Sequence, residues 1–211
     1  MTRRPLIAFS VRMYNNADGP GYCVGTEAYG LEMTIDDEWS VDTVILCPPR
    51  YVAAMSDVTS MGVQTGASYF PGNQDLVAIT SASATWILTY PEDPIRLAAD
   101  SGLAVLLLLD SVDDLANILK DLPQDPNKLA IAIQTDGLDT AAKFEKKAAS
   151  VRKLLSAHGL GDARILASGS FDMERFQKFF AKKNIDGVLL LDTESADAIH
   201  VIAAAVGVRL D

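Results

Sequence analysis

The polar residues best suited to chemistry in this chain stand at or just beyond the ends of short apolar runs. Arg12 is a permanent cation that could hold a carboxylate or polarise a carbonyl group. Tyr90 could donate a hydrogen bond, and the amide of Gln134 could orient a substrate by donating and accepting at once. Carboxylates that share a pocket could divide acid and base roles, or bind a metal or a cationic substrate. The acids concerned are Asp110, Asp136, Asp192 and Glu194.

Several of these residues also have a purely structural interpretation. Arg12 could form an ion pair with a neighbouring acid, and Tyr90, which precedes a proline, could be a packed strand end. Asp110 and Asp192 could be helix N-caps, because aspartate accepts hydrogen bonds from the free N–H groups of a first helical turn. The residue types alone leave both interpretations open at each of these positions.

The elements that must position these residues are eight apolar runs, most of them followed by a helical pattern. Near-continuous hydrophobicity is typical of parallel strands that are buried on both faces. Apolar residues recur at helical spacing between the runs, for instance from Phe144 to Leu155, while Ser111 suits a helix start and Gly159 a helix stop. The eight runs are Pro5–Arg12, Asp42–Cys47, Gly62–Ser68, Thr85–Tyr90, Leu103–Asp110, Leu129–Gln134, Arg164–Ser168 and Gly187–Leu191.

This alternation predicts an α/β fold, a closed (β/α)8 barrel formed by a single domain over residues 1–211. The stretch Pro71–Ser83 has no helical period, so we expect a slightly truncated barrel in which the helix after the third strand is short or absent. An open doubly wound sheet is the alternative, although no G-x-G-x-x-G motif follows the first strand. In a closed barrel the C-terminal strand ends meet at one face, and that face would carry Arg12, Tyr90 and Gln134.

Composition and charge narrow the range of partners. Hydrophobic residues make up 49% of the chain and charged residues 22%, as in ordinary globular proteins. A net charge of −10, with no basic patch, repels nucleic acid and anionic membranes, so we expect a small-molecule substrate instead. The N-terminus lacks a signal-peptide pattern, and Cys23 and Cys47 form no metal spacing. We therefore expect a cytoplasmic protein without a metal or cofactor.

Seven segments follow one another in the order of a known enzyme family. They are "VILCPPRYVAAM", "GASYFPGNQDLVAITS", "ATWILTYPED", "SGLAVLLLLDS", "LAIAIQTDG", "RILASGSF" and "NIDGVLLLDTES". Together they resemble triosephosphate isomerase along nearly the whole chain, which implies a TIM barrel. The resemblance places Ser10 and Arg12 at the family's Asn-x-Lys, Tyr90 at its histidine, Glu92 at its motif glutamate and Gln134 at its carboxylate base. An amide cannot take a proton from carbon, so we expect no isomerase activity, and Gln134 could be a neutral relic of that base.

The resemblance also implies an altered phosphate site. Gly169 and Ser170 match the seventh-strand half of the family's phosphate cradle, where backbone N–H groups converge. Leu191 and Asp192 stand at the glycines of the eighth-strand half, and Glu194 adds a second acid. A phosphate dianion there would meet like charges. We therefore expect a non-phosphorylated substrate.

Two loops of the family are altered as well. The segment "TDGLDTAA" stands in place of the family's long hinged lid and runs directly into the next helix. Val77, Ala78 and Ile79 stand in place of the Thr-Gly-Glu of the third loop, which carries the family's dimer contact. A homodimer is therefore possible, but the family's dimer loop is not retained in detail.

Two classes of function fit this sequence. The first is a repurposed small-molecule enzyme of isomerase, lyase or cyclase type, plausibly biosynthetic, that works at the C-terminal face of the barrel. The second is a non-catalytic relative that keeps the barrel as a binding or scaffold protein. A polar cavity at that face favours the enzyme, whereas a large apolar patch elsewhere favours the scaffold.

Overall fold

Eight parallel strands close into a barrel in chain order, with the last strand returning to pair with the first. The computed structural model describes residues 4–11, 41–59, 63–135, 140–169, 178–179, 182–193 and 201. The closed strand order confirms the predicted (β/α)8 barrel and rules out the open doubly wound sheet. The strands are β1 Leu6–Val11, β2 Asp42–Cys47, β3 Val63–Ala67, β4 Trp86–Thr89, β5 Ala104–Leu109, β6 Leu129–Gln134, β7 Arg164–Ser168 and β8 Gly187–Thr193.

The strands are mostly apolar because both of their faces are buried. Leu6 and Ala8 point into the lumen of the barrel, whereas Ile7 and Phe9 pack outwards in a layer shared with the helices. The same alternation holds around the barrel, so parity along a strand shows which side chains face the lumen. We call the buried apolar residues of the lumen the lumen cluster: Leu6, Ala8, Val44, Leu46, Trp86, Leu88, Ala104, Leu106, Leu108, Ala130, Ala132, Leu166 and Leu189.

The helices lie outside the barrel and follow their strands. The longest one buries Phe144, Ala148, Val151 and Leu155, as its sequence period predicts, and ends before Gly159, whose φ of 77° confirms the predicted stop. None of the helices in the described ranges is long and apolar enough to cross a membrane. The α-helices whose bounds fall within the described ranges are α1 Val52–Val58, α2 Asn73–Ser81, α3 Ile95–Asp100, α4 Val112–Ile118 and α5 Ala141–Ala157.

The connection between β3 and β4 contains the nine-residue helix α2, which is short but present. The expectation of a short helix in this connection is therefore confirmed, and the alternative that the helix is absent is wrong. Among the α2 side chains that the structure describes, Leu76 and Ile79 are the buried ones, and Val77 between them is exposed. Two buried positions are too few to produce a recognisable helical period of apolar residues. This explains why the sequence pattern did not predict a full helix here.

A polar network closes the lumen at the N-terminal ends of the strands. Arg164 donates to Asp42 over 2.5 Å, and its guanidinium group lies 5.8 Å from the centre of the Trp86 ring. The Trp86 indole N–H donates in turn to the side-chain oxygen of Gln64. Arg4 reaches Asp42 from the rim at 3.6 Å. We call Asp42, Gln64, Trp86 and Arg164 the N-terminal network; they face the lumen by register with the lumen cluster.

A second ion pair ties α5 to the start of β8 on the outside of the barrel. The Arg152 guanidinium donates to the Asp186 carboxylate and to the backbone oxygens of Gly161 and Ala163. The same carboxylate accepts the backbone N–H of Ile165 at 2.8 Å. Because both side chains are largely buried, this pair holds the helix in place only while both charges are present.

Candidate active site

Three of the predicted site residues reach the lumen at the C-terminal ends of their strands. Ser10 is in register with Leu46 of the lumen cluster, and Tyr90 packs against that cluster. Gln134 follows Ala132 by two positions on β6 and therefore faces the same side. All three side chains are half-buried. The closed barrel thus brings together residues that are far apart in the sequence.

Ser168 joins this group, although the sequence did not single it out. It is the last residue of β7, in register with Gln134 on β6 and two positions after Leu166 of the lumen cluster. Its side chain is fully buried, and its hydroxyl has no hydrogen-bond partner in the described part of the chain. A signal was available, because Ser168 is the lumen-facing residue that ends an apolar run. We call Ser10, Tyr90, Gln134 and Ser168, with Asp110 beyond β5, the mouth.

The remaining polar groups of the mouth are also without hydrogen-bond partners. Among the described residues, none bonds to the hydroxyl of Ser10, the phenol of Tyr90 or the amide of Gln134. Half-buried polar groups of this kind retain donors and acceptors for a ligand or for water. Within the same ranges no three His, Cys, Asp or Glu side chains lie close enough together to share a metal ion.

A tight turn after β4 fixes Tyr90. Its backbone N–H donates to the carboxylate of Asp93 at 2.8 Å, and the Asp93 N–H donates back to the Tyr90 carbonyl at 3.0 Å. Glu92 lies exposed in the same turn. Asp93 is a second residue that the sequence interpretation missed, and the Pro91-Glu92-Asp93 stretch carried the signal, since Pro and Asp are typical of such turns.

The environment of Tyr90 keeps its phenol protonated. Burial raises the pKa of Tyr90 above its ordinary value, and the negative charges of Asp93, Glu92 and Asp110 raise it further. Tyr90 is therefore a neutral hydrogen-bond donor at physiological pH. The same effect shows that the described acids give this side of the mouth a negative potential.

Cys47 ends β2 at the same end of the barrel but faces outwards, away from the mouth. Burial raises the pKa of its thiol to about 12. A thiol with such a pKa is not a nucleophile at neutral pH. Cys47 is a core residue.

The interpretation of Asp110 and Asp192 as helix N-caps is wrong. The cap of α4 is Ser111, whose hydroxyl accepts the N–H of Asp113 at 3.2 Å, as the sequence predicts for that serine. Asp110 lies one residue earlier, is exposed, and affects Tyr90. Asp192 lies within β8, which continues to Thr193, so it does not begin a helix.

Several other predicted site residues lie outside the described residues. These are Arg12, Asp136, Ser170 and Glu194, and the side chain of Asp192 is not described either.

Gly169, directly after β7, and Leu191, near the end of β8, differ in how much side chain they present. Gly169 follows β7 with a φ of 142°, and a Cβ atom there would collide with the Thr135 hydroxyl, so this position requires glycine. Leu191 on β8 carries a side chain that is 37% exposed. At the end of β7 the chain therefore presents glycine backbone, whereas near the end of β8 it presents the apolar side chain of Leu191.

Comparisons with known proteins agree with this architecture. No family model and no curated protein sequence matches the chain. Among solved structures, the chain is similar to triosephosphate isomerase from Bartonella henselae, with a TM-score of 0.75 and 17% sequence identity. The match covers 96% of this chain and 99% of that one. This likeness, together with the closed parallel barrel, shows that the chain has the TIM-barrel fold.

Proposed function

We propose that the mouth is the active site of a small-molecule enzyme of isomerase, lyase or cyclase type, plausibly biosynthetic, whose substrate carries no phosphate. The observation that carries this proposal is the set of lumen-facing polar groups without partners, above all the fully buried hydroxyl of Ser168. Buried polar groups normally have hydrogen-bond partners, so a site that leaves them unpaired favours a ligand. In TIM-barrel enzymes the substrate binds at this face.

The chemistry follows from the protonation states of the mouth. Tyr90 donates a hydrogen bond to a substrate oxygen that gains negative charge during the reaction. Asp110, close enough to act on Tyr90 electrostatically, is the candidate for proton removal or return. Gln134 orients the substrate, and Arg12 would hold a carboxylate or carbonyl group. Asp192, Asp136 and Glu194 add negative charge to the rim in this proposal, and Ser10, Ser170 and Glu92 contribute substrate contacts.

The same residues argue against triosephosphate isomerase activity. Under the family resemblance, Gln134 stands at the position of the carboxylate base and Tyr90 at that of the histidine. An amide takes no proton from carbon, and the negative potential around Tyr90 disfavours a phosphate dianion. We therefore expect a triose phosphate to bind with a Kd in the millimolar range or weaker, outside the ordinary enzyme range of about 1 μM to 1 mM. Calorimetry tests this, and tight saturable binding would contradict it.

A non-catalytic scaffold is the second candidate, and one observation favours it. A groove of about 530 Å³ on the outer wall lies between α2 and α3 and contains Leu76, Val77 and Leu97. Val77 is 70% exposed and Leu97 is 37% exposed, which is unusual for apolar residues on a helix pair. A partner protein that covers this groove would need no chemistry at the mouth.

The experiment that separates the two candidates uses a metabolite extract divided in half, one half pretreated with phosphatase to remove phosphate esters. The protein is incubated with each half, and consumed or formed compounds are followed by chromatography coupled to mass spectrometry, which separates isomers of equal mass. We expect at least one compound to be converted in both halves, with conversion lost in Tyr90→Phe and retained in Val77→Ser. Absence of any conversion, or conversion that survives Tyr90→Phe, would contradict the enzyme proposal.

A further inference from the structure

Gln134 and Ser168 form a pair of adjacent polar side chains on the lumen wall. They end neighbouring strands and are partners in the β6–β7 register. Register partners in parallel strands point to the same side, about 5 Å apart across the sheet. The residues two positions earlier on the same face, Ala132 and Leu166, are apolar. The pair is therefore polar, next to an apolar part of the lumen wall.

Both members of the pair lack hydrogen-bond partners within the described ranges. The Ser168 hydroxyl is fully buried and unpaired, whereas the Gln134 amide is half-buried and equally unpaired. An unpaired buried hydroxyl weakens the folded state, and a ligand that supplies its partner recovers that loss. Because Gln134 is the more open of the two, a ligand would contact Gln134 first and would reach the fully buried Ser168 hydroxyl only after the side chains that cover it move aside.

The donors and acceptors of the pair define the group that fits. The Gln134 amide offers an oxygen acceptor and an N–H donor on neighbouring atoms, and the Ser168 hydroxyl can do either. A carboxylate only accepts, so it would leave the Gln134 oxygen unpaired, and it would enter a mouth that Asp110, Glu92 and Asp93 make negative. An ammonium group only donates and would leave the Gln134 N–H unpaired. An uncharged group with a donor and an acceptor on neighbouring atoms pairs with both residues.

We propose that Gln134 and Ser168 form a subsite for an uncharged carboxamide or lactam group of the substrate. The proposal rests on the proposed function, since it assumes that the mouth binds a small molecule. It adds the chemical class of the group that is bound between β6 and β7.

The test uses two probes of nearly equal size, glycolamide and glycolate, titrated into isotopically labelled protein and followed by NMR. We expect glycolamide to shift the side-chain amide signal of Gln134 and the backbone amide of Ser168 saturably. Glycolate should bind at least about tenfold more weakly, because it carries a charge and lacks the N–H donor. The Gln134 side-chain signal is assigned by its loss in Gln134→Met.

Two variants separate a binding role from a structural one. Ser168→Ala should weaken glycolamide binding about tenfold, equivalent to about 1.4 kcal/mol. Thr89→Val is the matched control, because the Thr89 hydroxyl is equally buried and unpaired but faces the outer layer, in register with Leu107. It should leave glycolamide binding unchanged. Thermal melting of each variant confirms that it is folded, and Gln134→Met provides a second, half-exposed test position.

The outcomes distinguish this inference from the proposed function. Equal binding of the two probes, or glycolamide binding that Ser168→Ala and Gln134→Met do not weaken, overturns the subsite. Shifts at Ser10 and Tyr90 without shifts at the pair overturn the subsite and leave the proposed function intact. Absence of shifts anywhere in the mouth overturns the subsite as well, and the metabolite experiment then decides the proposed function separately.

Discussion

At the N-terminal end of the lumen, the polar side chains bind one another. Arg164 is paired with Asp42, and Trp86 with Gln64, so each side chain of the N-terminal network has a partner within the network. At the C-terminal end, the polar groups of the mouth point into the same lumen yet have no hydrogen-bond partners in the described part of the chain. Both ends lie on the same eight strands and enclose the same lumen cluster, so the difference is one of side-chain pairing alone.

This difference separates the stability of the barrel from its chemistry. At the N-terminal end the polar groups bind one another and hold neighbouring strands together. Unpaired groups at the mouth reduce stability slightly and remain available for binding, which is the usual relation between active sites and stability. Substitutions at the two ends should therefore have opposite consequences.

The largest expected effect is on the reactivity of Cys47. Because Cys47 faces the outer layer at the C-terminal end, its labelling tests whether reagents reach that layer as well as the lumen. In a Cys23→Ser background, we expect native Cys47 to react with a thiol reagent at pH 8 at least about a thousandfold more slowly than the urea-unfolded chain, since the folded pKa is about 12 against 9.0. Because folding raises this pKa, the protonated thiol contributes stability below pH 9.0 that is lost as the pH rises towards 12. Rapid labelling of the folded protein would show that the outer layer is open as well.

The next effect is at the N-terminal network. Asp42→Asn removes the countercharge of Arg164 and should lower the free energy of unfolding by about 2 kcal/mol, less than for a fully buried pair because both side chains are partly exposed. Urea unfolding measures it. The matched control is Asp110→Asn at the mouth, which should change stability by less than about 0.5 kcal/mol. Equal losses of unfolding free energy in Asp42→Asn and Asp110→Asn would contradict the difference in pairing between the N-terminal network and the mouth.

A smaller effect of opposite sign is expected at Ser168. Ser168→Ala removes a buried hydroxyl without a partner and should leave the free energy of unfolding unchanged or raise it by about 1 kcal/mol. Thr65→Val is the control, because the Thr65 hydroxyl is hydrogen-bonded to Ser56 at 2.8 Å and its removal should cost about 1 kcal/mol. A clear loss of stability in Ser168→Ala would mean that its hydroxyl is paired in solution.

No gain of triosephosphate isomerase activity is expected from Gln134→Glu, which places a carboxylate at the position of the family's base. Both the unmodified protein and Gln134→Glu should be indistinguishable from buffer in a coupled triosephosphate isomerase assay. Catalytic groups act as a unit, so one added base contributes little without the other groups of the set. Turnover by the unmodified protein that Gln134→Ala abolishes would contradict both this prediction and the alignment of Gln134 with the family's base.

The barrel was predictable because burial on both faces leaves a clear trace in the sequence. Each strand reads as an apolar run, and the end of β6 at Gln134 was predicted to the residue. Helix α2 left no such trace, since Leu76 and Ile79 are the two buried residues among its described side chains. A periodic pattern of apolar residues arises where side chains are buried, and few side chains of α2 are buried.

The site was predictable only in part. Their position at the ends of apolar runs, together with the family resemblance, placed Tyr90 and Gln134 at the C-terminal face of the barrel. Ser168 ends an apolar run as well, but the sequence interpretation passed over it, and the lack of a hydrogen-bond partner for its hydroxyl is visible only in three dimensions. The sequence offered both Asp110 and Ser111 as the N-cap of α4, because both residue types can cap a helix. The structure, in which β5 ends at Leu109, gives the cap to Ser111.

The pairing of β1 with β8 has a consequence for how the chain is made. During synthesis β1 emerges first, yet its second neighbour is the last strand to leave the ribosome. Until β8 is complete, the growing sheet has two open edges, and open edges of apolar strands are the sites at which nascent chains associate wrongly. Closure of the barrel is therefore a late event that joins the most distant strands of the sheet, and any truncation that removes β8 would leave β1 as a permanent edge.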